Sequence, residues 1–163
     1  MDFIDRNHLH AIPNFLENAH EPINIHYVSN SLEDTTALAN YLAPYFKQGD
    51  IIVLNGELGS GKTAFLTGIA QFFHIEDKIS SPTFTIVNEY DIANHCPIYH
   101  FDVYRLENSD EFLEGIGTDY FDTGICFIEW GNIIKDILPT KTIYIDITKD
   151  LKNDTTRYFH IRR

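Results

Sequence analysis

One stretch constrains this chain more than any other. Residues 50–73 carry an apolar run, Ile51-Ile52-Val53-Leu54, then Gly56-Glu57-Leu58-Gly59-Ser60-Gly61-Lys62-Thr63, then Ala64–Phe73. The pattern reads as a strand, a glycine-rich turn and a helix. The octapeptide fits G-x-x-x-x-G-K-[ST] at every fixed position. Glycines let backbone N–H groups turn inward around a phosphate with no side chain in the way. A helix opening near Lys62 aims the positive end of its dipole at the same anion. Lys62 can reach β- and γ-phosphates, and the Thr63 hydroxyl can ligate Mg²⁺. Leu58, Gly59, Ser60, Gly61, Lys62 and Thr63 are therefore the expected cradle of a nucleoside triphosphate. The blander reading is a glycine-rich turn with a surface lysine, and the credible strand and helix on either side count against it.

A hydroxyl-held Mg²⁺ calls for a carboxylate at the end of a neighbouring buried strand. Ile125-Cys126-Phe127-Ile128-Glu129 supplies four apolar residues and then an acid, which makes Glu129 the second expected metal ligand. An unpaired carboxylate there is costly, and a metal compensates it; the competing reading is a salt-bridged or solvent-facing strand end. In residues 98–105, period-2 alternation places His100, Asp102 and Tyr104 on one face and Phe101, Val103 and Arg105 on the other. Asp102 is a candidate to hold a metal-bound water or to orient the attacking water, weighed against a plain surface acid. Ser81-Pro82-Thr83 follows the loop's helix, where switch-like loops of P-loop hydrolases present a threonine to the γ-phosphate. Thr83 joins Lys62 and Asp102 as a catalytic candidate. His100 and Trp130 stay open between catalysis, base stacking and packing.

The remaining chain places these motifs. Residues 23–29 alternate as a strand. Ser31 followed by Asp34 resembles a capping box, opening a helix to about Tyr45 with Leu32, Thr35, Leu38, Ala39 and Leu42 at helical spacing. Residues 81–92 read as a loop feeding a strand, 98–107 as another strand, and 93–96 as a hairpin connection. Residues 109–121 read as a helix weakened by Gly115 and Gly117, and 124–132 as a buried strand that stops abruptly. The last segment reads as a hairpin around residues 151–156. Strands interleaved with helices plus hairpins predict an α/β fold: a single P-loop NTPase domain over 23–163, its mixed parallel/antiparallel sheet flanked by helices. Residues 1–22 read as an N-terminal extension.

Composition narrows the function classes. A length of 163 residues fits one domain, and 44% apolar with 13% aromatic residues argues against disorder. No apolar run approaches the ~18 residues of a membrane span. The N-terminus shows no secretory pattern, so a cytoplasmic protein is expected. Cys96 and Cys126 lack paired-ligand spacing and read as reduced thiols, while His8, His10 and His20 match no usual metal site. Twenty-four acids against twelve bases give a net charge of −12, which disfavours a direct grip on nucleic acid. Between Arg105 and Lys135 there is no basic residue, while Glu107, Asp110, Glu111, Glu114, Asp119 and Asp122 accumulate. That stretch reads as a solvated helix face, as a docking surface for a basic partner, or as both.

GELGSGKT, SPTFTIVNEY, YHFDVYRLE and FIEWGN, in that order, closely resemble the TsaE (YjeE) family across roughly residues 23–160. The resemblance implies a P-loop ATPase of tRNA threonylcarbamoyladenosine synthesis, with ATP and Mg²⁺ as cofactors and weak turnover alone. It implies TsaB and TsaD as partners. It implies that TsaD transfers the threonylcarbamoyl group to the adenosine 3′ of the anticodon and that ATP binding and hydrolysis reset the complex. It implies that tRNA is met only through that complex and that no membrane is involved. By resemblance Thr63 and Glu129 match the Mg²⁺ ligands, Asp102 the acid of an H-x-D-x-Y-R motif, and Thr83 the switch threonine. The adenine is implied between the first helix start, near Ser31 and Leu32, and the terminal hairpin, near Asn153. Where the family often has Pro and an acid after FIEW, Gly131 and Asn132 stand here, which implies a looser turn after Trp130. Two rivals remain, a small-molecule kinase and a GTP-dependent switch. Five arginines, with Arg105 alone between positions 7 and 156, count against a kinase lid, and no N-K-x-D segment offers a guanine-reading carboxylate.

Overall fold

In the computed structural model, which describes residues 3–12, 21–82 and 84–163, the strands join in one seven-stranded sheet. They are β1 (Asn24–Ser29), β2 (Ile51–Asn55), β3 (Val87–Tyr90), β4 (Ile98–Asp102), β5 (Ile125–Glu129), β6 (Ile143–Lys149) and β7 (Arg157–Arg162). Their spatial order is β1-β7-β6-β2-β5-β4-β3. The central four, β6-β2-β5-β4, pair in parallel, and β3, β7 and β1 extend them antiparallel. The mixed sheet expected from the sequence is present. Both faces of the parallel strands are covered, which is why β2 and β5 read as continuous apolar runs.

Helices α1 (Leu32–Leu42) and α2 (Lys62–Phe72) cover one face, packing Leu38, Leu42, Phe65 and Ile69 against Ile52, Leu54 and Phe127. On the other face α3 (Ser109–Gly115), α4 (Asp119–Thr123) and a 3₁₀ helix, Gly131–Ile137, set Phe112, Phe121 and Ile134 against Ile51, Val53 and Ile128. The split follows period 2 within β2: residues 52 and 54 serve one core, 51 and 53 the other.

Four expectations are corrected. The first helix ends at Leu42 and tightens to a 3₁₀ turn over Ala43–Tyr45, because Pro44 has no N–H to continue the ladder. Leu32, expected on its buried stripe, is 63% exposed. The strand expected over 98–107 stops at Asp102, whose Oδ1 accepts a hydrogen bond from the Tyr104 N–H and bends the chain. The helix expected over 109–121 divides in two, since the N–H groups of Ile116 and Gly117 both donate to Phe112 O and close the first piece. Residues 3–12 lie on the sheet and α1: Ile4 bridges Tyr27, and Ile12 is buried in the α1–α2 core with its carbonyl accepting from the Tyr41 hydroxyl. Thr83 and His20 fall outside the described residues.

Candidate nucleotide site

The loop between β2 and α2 is built for close approach. A Cβ at Gly56 would collide with Ser60 Oγ and come within 2.8 Å of the Ile147 carbonyl, so only glycine fits where the chain leaves β2. Ser60 is itself buried, and its hydroxyl has no hydrogen-bond partner among the described residues. Gly61 is the N-cap of α2, which places the backbone of Lys62 and Thr63 in the first helical turn. The Lys62 ammonium donates to the carbonyls of Gly56 and Glu57, folding back over the loop. Leu58 is 96% exposed at the tip, and its carbonyl accepts from Lys149 Nζ at the end of β6. Sequence reasoning missed that tether, because nothing local to Lys149 marks a contact spanning 91 residues.

β4 and β5 bring the acids to the same place. Asp102 and Glu129 are register partners at the C-terminal ends of these parallel strands. They share a cleft of about 250 Å³ with Leu58, Gly59, Gly61, Lys62, Thr63, Ser81 and Trp130. Of the expected site residues, the structure thus unites Leu58, Gly59, Gly61, Lys62, Thr63, Asp102 and Glu129, while Ser60 lines a separate cavity toward β6 with Gly56 and Asp146. Ser31 and Asn153 line none of the cavities at the loop. Ser31 caps α1, its Oγ accepting from the Asp34 N–H at 3.1 Å. Asn153 organises the β6–β7 turn by accepting from Thr155. The two regions are joined beside these residues, through Thr156 Oγ1 and Asn30 Oδ1 at 3.1 Å.

Glu129 is only 3% exposed, yet it is not the unpaired carboxylate of the sequence argument. Its Oε2 accepts from Ser81 Oγ at 2.9 Å and lies 3.3 Å from His100 Nε2. Burial opposes its ionisation, but the bonds from His100 and Ser81 and the nearby Lys62 charge prevail and hold its carboxyl below the usual carboxylate range. The partners are supplied by protein. His100 is completely buried, which removes base stacking from its options.

Among the described residues no three His, Cys, Asp or Glu side chains converge to hold a metal alone. Mg²⁺ does not require such a cage; it is bound by one or two carboxylates together with water and substrate phosphates. The Thr63 hydroxyl with the Glu129 and Asp102 carboxylates is a hard oxygen set of that kind, so the residues fit the ion.

Past Glu129 the turn is not loose. Trp130 takes a left-handed conformation, φ 62°, and caps the 3₁₀ helix. Its ring, 47% exposed, lies 4.9 Å from that of Tyr104. Gly131 is buried against β2, where a Cβ would stand 2.8 Å from both Val53 methyl carbons. The departure from the usual motif is thus a close packing contact.

A parallel-centred sheet, a glycine-rich loop opening a helix beneath it, and acids at the ends of the two adjacent strands define a P-loop nucleoside triphosphatase fold. The chain belongs to the TsaE family: a family model described as "Threonylcarbamoyl adenosine biosynthesis protein TsaE" matches residues 29–158. The tRNA threonylcarbamoyladenosine biosynthesis protein TsaE of Bacillus subtilis is 40% identical over 117 residues, 72% of this chain and 73% of that protein. Its Treponema pallidum counterpart is 36% identical over 121 residues, covering 74% and 88%. That of Haemophilus influenzae is 46% identical over 99 residues, covering 60% and 61%. The crystal structure of Bacillus subtilis YdiB matches with a TM-score of 0.66 at 31% identity, over 88% of this chain and 87% of that one.

Proposed function

We propose that this protein binds ATP with Mg²⁺, hydrolyses it, and serves threonylcarbamoyladenosine modification of tRNA as a cytoplasmic subunit that resets a complex with TsaB and TsaD. The observation that carries the chemistry is the convergence of Leu58, Gly59, Gly61, Lys62, Thr63, Asp102 and Glu129 on one cleft. The pathway is supported by family membership and the printed names of the relatives.

In this reading, loop amides and the α2 N-terminus neutralise phosphate oxygens, and Lys62 exchanges its carbonyl partners for the β- and γ-phosphates. Thr63 and Glu129 would hold the cation, which would supply positive charge to offset that of the phosphate oxygens. Asp102, level with Glu129 and half-buried, orients the attacking water; Thr83, outside the described residues, remains the candidate switch threonine. The adenine lies toward Ser31 and Asn153, beyond the cleft. Residues 23–163 act as the ATPase domain, with 1–22 as its extension. No helix of the described residues is long and apolar enough to cross a membrane. Glu107, Asp110, Glu111, Glu114, Asp119 and Asp122 are all exposed and suit a basic protein partner, with tRNA reached only through it.

The test is ATP hydrolysis with and without TsaB and TsaD, comparing wild type with Lys62→Ala and Glu129→Ala. Activity that rises with the partners and collapses in both variants is expected. Full activity in both variants would sink the assignment.

A further inference from the structure

His100 is an anomaly of its surroundings. It has no exposed surface and borders a small apolar void with Leu66, Ile69, Ala70, Ile79, Tyr90 and Ile98. Leu66 and Ile69 lie one and two turns beyond Thr63 on α2, so the imidazole sits between the helix carrying Thr63 and the strand carrying Glu129. For packing alone an aliphatic side chain would do better there, because a buried imidazole must be desolvated. The ring also leaves Nδ1 buried with no hydrogen-bond partner among the described residues. The hydrogen-bond pattern selects one tautomer. With the proton on Nε2, a donor meets the Glu129 carboxylate at 3.3 Å, and the idle nitrogen is a bare acceptor. The opposite tautomer would bury an unpaired N–H and turn a lone pair toward an anion.

Ser81 reaches the same oxygen from a different element. Its hydroxyl donates to Glu129 Oε2 at 2.9 Å from the loop after α2. Two donors therefore converge on Oε2, while Oε1 accepts from none of the described residues. Glu129 lines the cleft that holds Lys62 and Thr63.

Resting on the reading that Thr63 and Glu129 hold Mg²⁺, we propose that His100 and Ser81 are positioning residues that jointly engage Oε2 of Glu129 and leave Oε1 to the cation. Outer-shell hydrogen bonds of this kind fix the rotation of a ligating carboxylate, and their loss weakens metal affinity without touching the nucleotide.

The experiment is calorimetric titration of the full chain with a non-hydrolysable ATP analogue, at a series of free Mg²⁺ concentrations and in EDTA. His100→Leu and Ser81→Ala are each expected to raise the Mg²⁺ midpoint about tenfold, with analogue affinity in EDTA unchanged. His100→Gln, whose amide N–H can donate to the same oxygen, should recover most of the loss. A purely structural histidine would show no such rescue and no selective change in Mg²⁺ dependence. An unchanged midpoint in a folded variant overturns the role of the residue replaced. Should His100→Leu fail to fold, Ser81→Ala decides alone, since Ser81 is exposed and its replacement leaves the core intact. Glu129→Gln separates the premises: if it too keeps the wild-type Mg²⁺ response, the metal reading itself has failed, not just the positioning.

Discussion

Gly131 sets how closely the segment after Trp130 lies against β2. Adding one methyl group would drive it into Val53, and overpacking of this kind costs about 1–3 kcal/mol. Gly131→Ala is expected to lower the urea midpoint accordingly while Tyr104 and Trp130 remain in place; wild-type stability would contradict the packing account. Asp146 carries a pH signature. Burial works against its charge, but hydrogen bonds from Arg162 and Asn55, at 2.8 and 2.7 Å, hold its carboxyl below the usual range. A depressed carboxyl contributes its full stability above the unfolded value, near 4, and loses it as pH falls through the folded value. Denaturation between pH 7 and pH 3 should therefore show an acid-side decline that is shallower in Asp146→Asn. An identical decline would place the effect elsewhere. These single-residue facts were hidden in the sequence, where Gly131 reads as slack and nothing local to Asp146 marks its bonds to Asn55 and Arg162. Thr63, Asp102 and Glu129 were legible, because a motif and a period locate them without knowledge of distant contacts.

The elements repeat the lesson with a different cause. The strand at 23–29, the apolar run at 51–54, the helix after the loop and the terminal hairpin were readable, since each buries a stripe whose period is local, while the strand expected over 124–132 ends at Glu129, where Trp130 turns left-handed. The endings of β4 and α3 were not, because an aspartate side chain and a doubly used carbonyl make them, and neither alters the hydrophobic pattern. Strand order was equally unreadable, as pairing between β2, β5 and β6 joins segments far apart in sequence. The start of α1 is a case where sequence and structure agree and energy can be assigned. Ser31 Oγ accepts from Asp34 N–H, while Asp34 Oδ2 accepts from Asn30 N–H. Ser31→Ala should cost about 1 kcal/mol in chemical denaturation, the usual loss of an N-cap oxygen. ATP affinity measured on the same variant tests the proposed base contact separately: unchanged affinity moves the adenine away from Ser31.

At the scale of the molecule, charge and shape point in one direction. A net charge of −12 over 163 residues gives a field suited to meeting a basic protein surface. Asp110, Glu111 and Glu114 stand exposed on α3, so reversing them to Lys leaves both cores untouched. If the proposed partnership holds, the triple variant binds TsaB–TsaD more weakly, chiefly through a slower association that added salt mimics in wild type, while ATP affinity persists. Association rates equal to wild type at low salt would discard this docking face.

The Ile4 bridge alters what the sheet offers to its surroundings. β1 is an outermost strand, and its outer backbone groups would otherwise be free to recruit a strand from another molecule. Ile4 takes up two of them, its N–H donating to His26 O and its carbonyl accepting from Val28 N–H, each at 2.8 Å. The opposite border, β3, is only four residues long. Ile4 thus acts as a short selvedge: with those two groups occupied, that stretch of the long border is closed to a strand from another molecule.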